Sequence, residues 1–256
     1  MESARSGDAG VKPRLSVVIP VYNEGDAITA CLDRILEAVE LPCEILCVFD
    51  TPEDTTIPML EKYAQADDRV LPTLNTYGRG PANAIRFGMD HANAEVIVVT
   101  MADGSDDPRQ IDDLCRLVER GVAVASASRY SPGGQQVGAP LLKRTLSRTA
   151  GLTLHWIARV GTRDATNSFK AYSSDFIKDV GVHSTSGFEI GLELTAKARR
   201  LRLPVAELAT IWLERQTGMS NFKVAAWIPN YLFWYRFAFG PQLTLDELRK
   251  KAGRRS

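Results

Sequence analysis

No stretch of about 20 apolar residues occurs in this chain, so nothing in it reads as a membrane-spanning helix. Cysteine is scarce. The four thiols, Cys31, Cys43, Cys47 and Cys115, form no CxxC pair, and no histidine stands near them at zinc-ligand spacing. That excludes a zinc site and a disulfide framework, and it reads as reduced, mostly buried thiols in a cytosolic protein. Histidine is scarcer still: His91, His155 and His183 show no partnering pattern and read as structural or surface residues. Net charge is absent, with 31 basic and 31 acidic residues, which argues against non-specific nucleic-acid binding. There is no internal repeat, and the only low-complexity segment is the charged tail after Arg249. Residues 1–13 are polar and contain glycine without an apolar signal core, so they read as a disordered lead-in.

What is present suits a globular enzyme. The 256 residues, 45% hydrophobic and 24% charged, are enough for one α/β domain with a small appendage. Acidic residues crowd between Asp50 and Asp113, whereas basic ones dominate from Arg129 onward. This asymmetry suits a site that joins a metal to anionic groups.

The apolar run Leu15 to Pro20 predicts a buried parallel strand. Ala27, Ile28, Cys31, Leu32, Ile35, Leu36 and Val39 recur at helical spacing. Glu44 to Asp50, Arg69 to Leu74, Glu95 to Thr100 and Val122 to Ser128 predict further strands. Helices are expected over Thr55 to Ala66, Pro81 to Ala92 and Pro108 to Arg120, the last two opened by a proline that misses no N–H. In the second half, Leu141 to Val160 and Ser186 to Leu201 read as helices and Val205 to Leu213 as a strand. The alternation implies a mostly parallel sheet covered on both faces. Ligands bind such sheets beyond the carboxyl ends of the strands. Asp50 and Asp103 fall just past those ends.

Four segments carry candidate chemistry. Pro20-Val21-Tyr22-Asn23-Glu24 would meet a ligand's ring and ribose, or Asn23 and Glu24 would cap the next helix. Asp50 is an acceptor-only carboxylate, suited to the imide N–H of uracil or the amino and imino edge of guanine; otherwise it is a turn residue. Asp103, in Met101-Ala102-Asp103-Gly104-Ser105-Asp106-Asp107-Pro108, suits Mg²⁺, which takes one or two carboxylates plus substrate phosphate oxygens. Asp106 and Asp107, just before a helix, read as caps. Gly78-Arg79-Gly80-Pro81 enters a helix as a tight turn, with backbone N–H groups and Arg79 available to a diphosphate.

In this order and spacing the chain resembles the family 2 glycosyltransferases, and more closely their dolichol-phosphate mannosyltransferase-like branch. Further motifs carry the resemblance as far as about residue 240: Ala127-Ser128-Arg129-Tyr130 with Gly133-Gly134, Lys143-Arg144-Thr145-Leu146-Ser147, Asp164 to Tyr172, Phe188-Glu189 and Arg215 to Ser220. The resemblance implies a GT-A (Rossmann-like) fold. It implies inverting transfer of a mannose- or glucose-like sugar from a GDP- or UDP-sugar to a polyprenyl phosphate, with Mg²⁺ or Mn²⁺. It places Pro20, Tyr22, Glu24, Asp50, Arg79 and Ala102 at the donor, and Asp103 with Ser105 at the metal. It brings Arg129, Lys143, Ser147, Arg215 and Lys223 to the acceptor phosphate or the diphosphate, with Asp103, Arg129 and Arg215 closest to the chemistry. Where the family has Asp-x-Asp the chain has Met101-Ala102-Asp103. Ser105 stands where a Gln is frequent, Phe49-Asp50-Thr51-Pro52 stand where Asp-Asp-Gly-Ser is usual, and Asn221 replaces a common Lys. These departures bear on metal affinity and donor choice.

The expected layout is a catalytic domain over 14–222, an aromatic amphipathic helix over 223–240 and a charged tail over 241–256. From Ala225 to Phe239 the aromatic stretch is too short to cross a bilayer; it would lie in the interface, or pack on the domain, a membrane-protein partner or a second copy. The expected location is cytoplasmic, either free or peripheral on the cytoplasmic face of a membrane. Two other readings are a family 2 enzyme with a saccharide or lipid-diphosphate acceptor, needing Asp164 or Glu189 as base, and a non-catalytic nucleotide-sugar-binding scaffold.

Overall fold

The computed structural model describes residues 12–138, 141–214 and 224–253, with the backbone alone for 141–143 and 224–227. The first half alternates strand and helix: β1 (Leu15–Val21), α1 (Ile28–Ala38), β2 (Cys43–Phe49), α2 (Ile57–Ala66), β3 (Val70–Leu74), α3 (Pro81–His91), β4 (Val96–Val99), α4 (Ile111–Glu119) and β5 (Val124–Ser128). The second half follows as β6 (Gln135–Val137), α5 (Leu141–Thr153), β7 (Lys170–Ser173), α6 (Ser174–Val180), α7 (Ile190–Arg200), β8 (Val205–Ala209), β9 (Ile211–Leu213), α8 (Val224–Ala238) and α9 (Leu245–Ala252).

Seven strands form one sheet in the order β3-β2-β1-β4-β7-β5-β8, with β7 antiparallel to its neighbours β4 and β5 and the other pairings parallel. Strands β1, β2 and β4 are buried at every position, as valine and isoleucine runs covered on both faces must be. Alternate residues feed two cores. Leu15, Val17, Ile19 and Val21 pack with Leu32 and Ile35 of α1 and with Leu114 and Val118 of α4. Val18, Ile97 and Val99 pack with Ile85 and Phe87 of α3 and with Ile190 and Leu194 of α7. Helix α3 lies so close to β1 that a Cβ on Gly88 would stand 2.4 Å from Val18 Cγ1.

The parallel strands β1, β2, β4 and β5 point their carboxyl ends the same way, so the loops opening at Tyr22, Asp50, Thr100 and Arg129 share one edge of the sheet. Antiparallel β7 begins at that edge, with Lys170 beside Val99 and Ser126. The approach to β7, residues 159–169, arrives there too.

Several expectations are corrected. The helix expected from Ser186 starts at Ile190. The single strand expected over Val205 to Leu213 breaks at buried Thr210 into β8 in the main sheet and β9, which pairs with β6 in a two-stranded ribbon. The helix from Leu141 closes as a π turn over Leu154–Ala158. The stretch expected as a charged tail contains α9, opened by a capping box of Thr244 and Glu247, with Leu248 and Ala252 buried. Its Arg249, Lys250 and Lys251 fall in the last turn, where cations suit the helix dipole. Helix α8 packs on the domain: Trp234 is fully buried, its Nε1 donates to Ser184 Oγ at 3.1 Å, and it shares a core with Leu154, Leu192 and Ala196. Residues 1–11 of the expected lead-in lie outside the described residues.

Candidate active site

The three loops expected to meet the donor are tied to one another. Pro20 is buried inside β1, while Tyr22 beyond the strand is exposed. Asn23 takes a left-handed conformation, φ 52°, which its short polar side chain tolerates. Its N–H donates to Asp54 Oδ2 at 3.0 Å, and its Oδ1 accepts from Thr55 N at 3.2 Å. The Glu24 N–H donates to Thr56 Oγ1 at 2.9 Å. The capping role open to Asn23 and Glu24 is therefore not the observed one; Glu24 makes no side-chain cap bond. Asp50 accepts from Asn75 Nδ2 and from the Gly80 N–H, each at 2.7 Å. One carboxylate thus pins the glycine turn that starts α3, and each of its oxygens retains lone-pair capacity. Gly80 has φ 116°, open to glycine, and no side chain caps the helix it opens. Arg79 is exposed beside that helix start.

The central loop follows β4. Ala102 is buried. Asp103 Oδ1 accepts from Ser105 N at 3.0 Å and Ser105 Oγ at 2.7 Å, while no hydrogen bond occupies Oδ2 among the described residues. Ser105 is buried and gives its hydroxyl to Asp103, so it orients that carboxylate. Asp107 caps the turn that follows, accepting from Arg109 N at 3.2 Å. Asp106 does not cap. It turns back to accept from Thr100 Oγ1 at 2.9 Å and Met101 N at 3.3 Å, and burial followed by the charge of Asp103 raises its pKa to about 6. Arg34 of α1 grips the same loop through the carbonyls of Gly104 and Asp106, at 2.6 and 3.2 Å. No group of three or more His, Cys, Asp or Glu side chains is placed to hold a metal among the described residues. A hard cation with one protein carboxylate and the rest of its shell from diphosphate and water still fits Asp103 Oδ2.

Where the acceptor phosphate was expected, Arg129 forms a bidentate pair with Asp164, Nε to Oδ2 at 2.7 Å and Nη2 to Oδ1 at 2.8 Å. Burial opposes the Arg129 charge, but Asp164 holds its pKa above the ordinary value. The guanidinium lies 5.2 Å from the Tyr130 ring centroid and 5.9 Å from that of Trp212. Tyr130 Oη donates to Ser147 Oγ at 3.0 Å, and Ser147 in turn meets Thr166 Oγ1 at 3.1 Å. A hollow of about 630 Å³ opens here, with Arg129, Arg144, Arg148 and Arg163 among its lining residues together with Val137, Leu152 and Trp156; Arg163 pairs with Glu207. Strand β9 ties the hollow to the central loop, because the Leu213 N–H donates to Ser105 O at 3.2 Å.

Lys170 was not singled out by the sequence. It is fully buried, donates to the carbonyls of Asp164, Ala165 and Asn167, and burial pushes its pKa down to about 7. A lysine between Phe169 and Ala171 in a short strand was the available signal. Asp164 cannot serve as the base that a saccharide acceptor would need, since it is fully buried with both oxygens on Arg129. Glu189 is buried too and accepts from Asn230 Nδ2 at 3.3 Å. Arg215 and Lys223 lie outside the described residues, as does the side chain of Lys143.

A mostly parallel sheet with its loops gathered at the carboxyl edge is the architecture of GT-A glycosyltransferases, which the solved structures below share. Residues 16–181 match the family model described as Glycosyl transferase family 2, and the chain belongs to that family. It is 30% identical over 244 residues to a polyprenol monophosphomannose synthase of Mycolicibacterium smegmatis, covering 88% of this chain and 92% of that one. It is 27% identical to an undecaprenyl-phosphate mannosyltransferase of Micrococcus luteus, over 81% of this chain and 87% of the relative. The fold matches glucosyl-3-phosphoglycerate synthase of Mycobacterium tuberculosis, solved with Mn²⁺, UDP and glucosyl-3-phosphoglycerate, with a TM-score of 0.67 at 14% identity, covering 91% of this chain and 82% of that chain. It also matches a mannosyltransferase of Pyrobaculum calidifontis, solved with GDP-mannose and Mn²⁺, with a TM-score of 0.60 at 19% identity, covering 94% and 69%.

Proposed function

We propose that this glycosyltransferase moves mannose, or a similar hexose, from a GDP- or UDP-sugar to a polyprenyl phosphate, working from the cytoplasmic face of a membrane. The observation that carries this reading is the hollow beside Arg129, whose lining is mixed. Arginines line it for an anionic head, and Val137, Leu152 and Trp156 line it for an apolar tail. The names of the two mannosyl-transferring relatives point the same way.

The reaction is a direct displacement. A phosphate monoester carries about 1.5 to 2 negative charges near neutral pH and attacks without a protein base. Buried Asp164 is then a positioning residue, which turns Arg129 toward the incoming phosphate. Asp103 would hold the divalent cation, Mg²⁺ or Mn²⁺, with Ser105 orienting its carboxylate. That cation would supply neutralisation of the leaving diphosphate. The rest of the work is placement: Asp50 fixes the turn at Gly80, whose helix start and Arg79 face the diphosphate, and Tyr22 and Glu24 border the nucleotide. Arg215, Lys143 and Lys223 complete the basic side in this proposal.

The test is Asp103→Asn in a folded protein that still binds nucleotide. Transfer should fall by about 10²-fold or more. Activity close to that of the parent, with unchanged metal dependence, would remove Asp103 from the metal.

A further inference from the structure

Lys170 is fully buried in the short strand β7, and the displacement does not use it. All three N–H donors of its ammonium go to carbonyls of one turn: Asp164 O at 3.2 Å, Ala165 O at 3.3 Å and Asn167 O. Phe169 and Ala171 beside it enter the core formed with α1 and α4, so Lys170 faces the other side of the sheet. Helix α7 makes room for it there: a Cβ on Gly191 would stand 3.4 Å from its Nζ and 2.7 Å from Asn167 O. Burial presses Lys170 toward its neutral form, and Asp164 opposes that. Buried carbonyls left without a donor carry a desolvation cost, so an apolar side chain cannot replace this ammonium without moving the turn.

The turn that Lys170 gathers carries the contacts that orient two acceptor side chains. Asp164 holds the Arg129 guanidinium through Nε and Nη2, at 2.7 and 2.8 Å. Two residues on, Thr166 Oγ1 meets Ser147 Oγ at 3.1 Å, and Ser147 also accepts from Tyr130 Oη at 3.0 Å. Asn167 Nδ2 ties the far end of the turn to Ala127 O at 2.9 Å. The carbonyls of Asp164 and Ala165, at the near end, converge on the ammonium.

We infer that Lys170 is a positioning residue for the transfer: by gathering the carbonyls of turn 164–167 it sets Asp164 and Thr166, and through them Arg129 and Ser147, at the spacing an acceptor phosphate meets. Lys170 does not line the hollow. The role rests on the acceptor-phosphate reading of Arg129 and Ser147. A guanidinium fixed by a bidentate pair follows its carboxylate, and a misplacement of about 1 Å at a reacting group costs on the order of 10²-fold in rate. The loops expected at the donor are held separately, by Asp50 with Asn75 and Gly80 and by Asp103 with Ser105, so nucleotide binding should not register the change.

The experiment compares the full-length parent with Lys170→Met, alone and in an Arg129→Ala background. Nucleoside diphosphate release is followed from GDP-mannose or UDP-glucose, whichever the parent turns over, against a short, water-soluble polyprenyl phosphate. Calorimetry gives the affinity for GDP or UDP. Lys170→Met should lower kcat/KM for the polyprenyl phosphate about tenfold or more, mainly through KM, with the nucleotide affinity within about twofold of the parent. In the Arg129→Ala background the same substitution should add about threefold or less, because the guanidinium it positions is gone. If the methionine variant does not fold, Lys170→Gln gives the same comparison. Equal losses in the two backgrounds, or a parallel loss of nucleotide affinity, would make Lys170 a support of the fold alone and overturn the inference. So would full activity of Lys170→Met toward the polyprenyl phosphate. A parent whose nucleotide release ignores the polyprenyl phosphate would refute the acceptor reading and the inference with it. Equal losses in a parent that needs the lipid phosphate would leave that reading standing.

Discussion

Glu193 and Lys197 stand one turn apart on α7, both fully buried, with Lys197 Nζ 2.5 Å from Glu193 Oε1. Glu193 also accepts the N–H groups of His183 and Ser184, at 2.7 and 2.8 Å, and Lys197 donates to Gly181 O at 2.6 Å. The pair therefore fastens the loop before α7, which in turn supports Trp234 through Ser184. Lys197→Met leaves a buried carboxylate without its cation and should cost about 3–5 kcal/mol in urea denaturation. Burial would raise the Glu193 pKa, but Lys197 and the donors around it hold it down at about 2, against 4.5 for the ordinary group. A depressed carboxylate stabilises the fold above its unfolded pKa and loses that contribution as pH falls toward its folded pKa. Stability should thus decline between pH 4.5 and about 2, and Glu193→Gln should flatten that part of the profile. At the same scale, Asp50 and Asp103 were legible because both follow buried strands. The Arg129–Asp164 pair was not, because its members are separated by 35 residues and only the fold brings them together.

Among the elements, those with a continuous β-branched run or a clear helical period were readable. Strands β1, β2 and β4 and helices α1 and α3 fall within two residues of where the pattern puts them. The short pieces were not readable. Strand β7 holds only Lys170–Ser173 and shows no apolar alternation, since its lysine is satisfied by carbonyls up to six residues earlier. Ribbon strand β6 exists through its pairing with β9, across a long stretch of chain, and β9 was expected only as a continuation of β8. Helix α9 hides its two buried residues in a run of charge. Where α3 crosses β1, the absence of a side chain at Gly88 permits the contact. Gly88→Ala must move Val18 or the helix and should cost about 1–3 kcal/mol by thermal or urea unfolding. Unchanged stability would mean that α3 is more loosely seated than the 2.4 Å approach implies.

At the scale of the molecule, the sheet carries the loops after β1, β2 and β4 at its carboxyl edge, and the second half of the chain adds the arginine-lined hollow. No helix among the described residues is long and apolar enough to cross a membrane. The aromatic stretch, expected either in a membrane interface or packed on protein, completes a core against α7 through Trp234, so Trp234→Ala should cost about 3–5 kcal/mol. Truncation before Val224 would strip Trp234, Ala238, Leu248 and Ala252 from their packing and should lower the unfolding temperature. The central claim is that donor, metal loop and lipid-phosphate hollow act together. The direct measurement is release of nucleoside diphosphate from GDP- and UDP-sugars, with and without a polyprenyl phosphate and with Mg²⁺, Mn²⁺ or chelator. Release that requires both the lipid phosphate and the cation is the predicted result. Release that is indifferent to the lipid phosphate, or that appears only with a saccharide acceptor, would contradict the account.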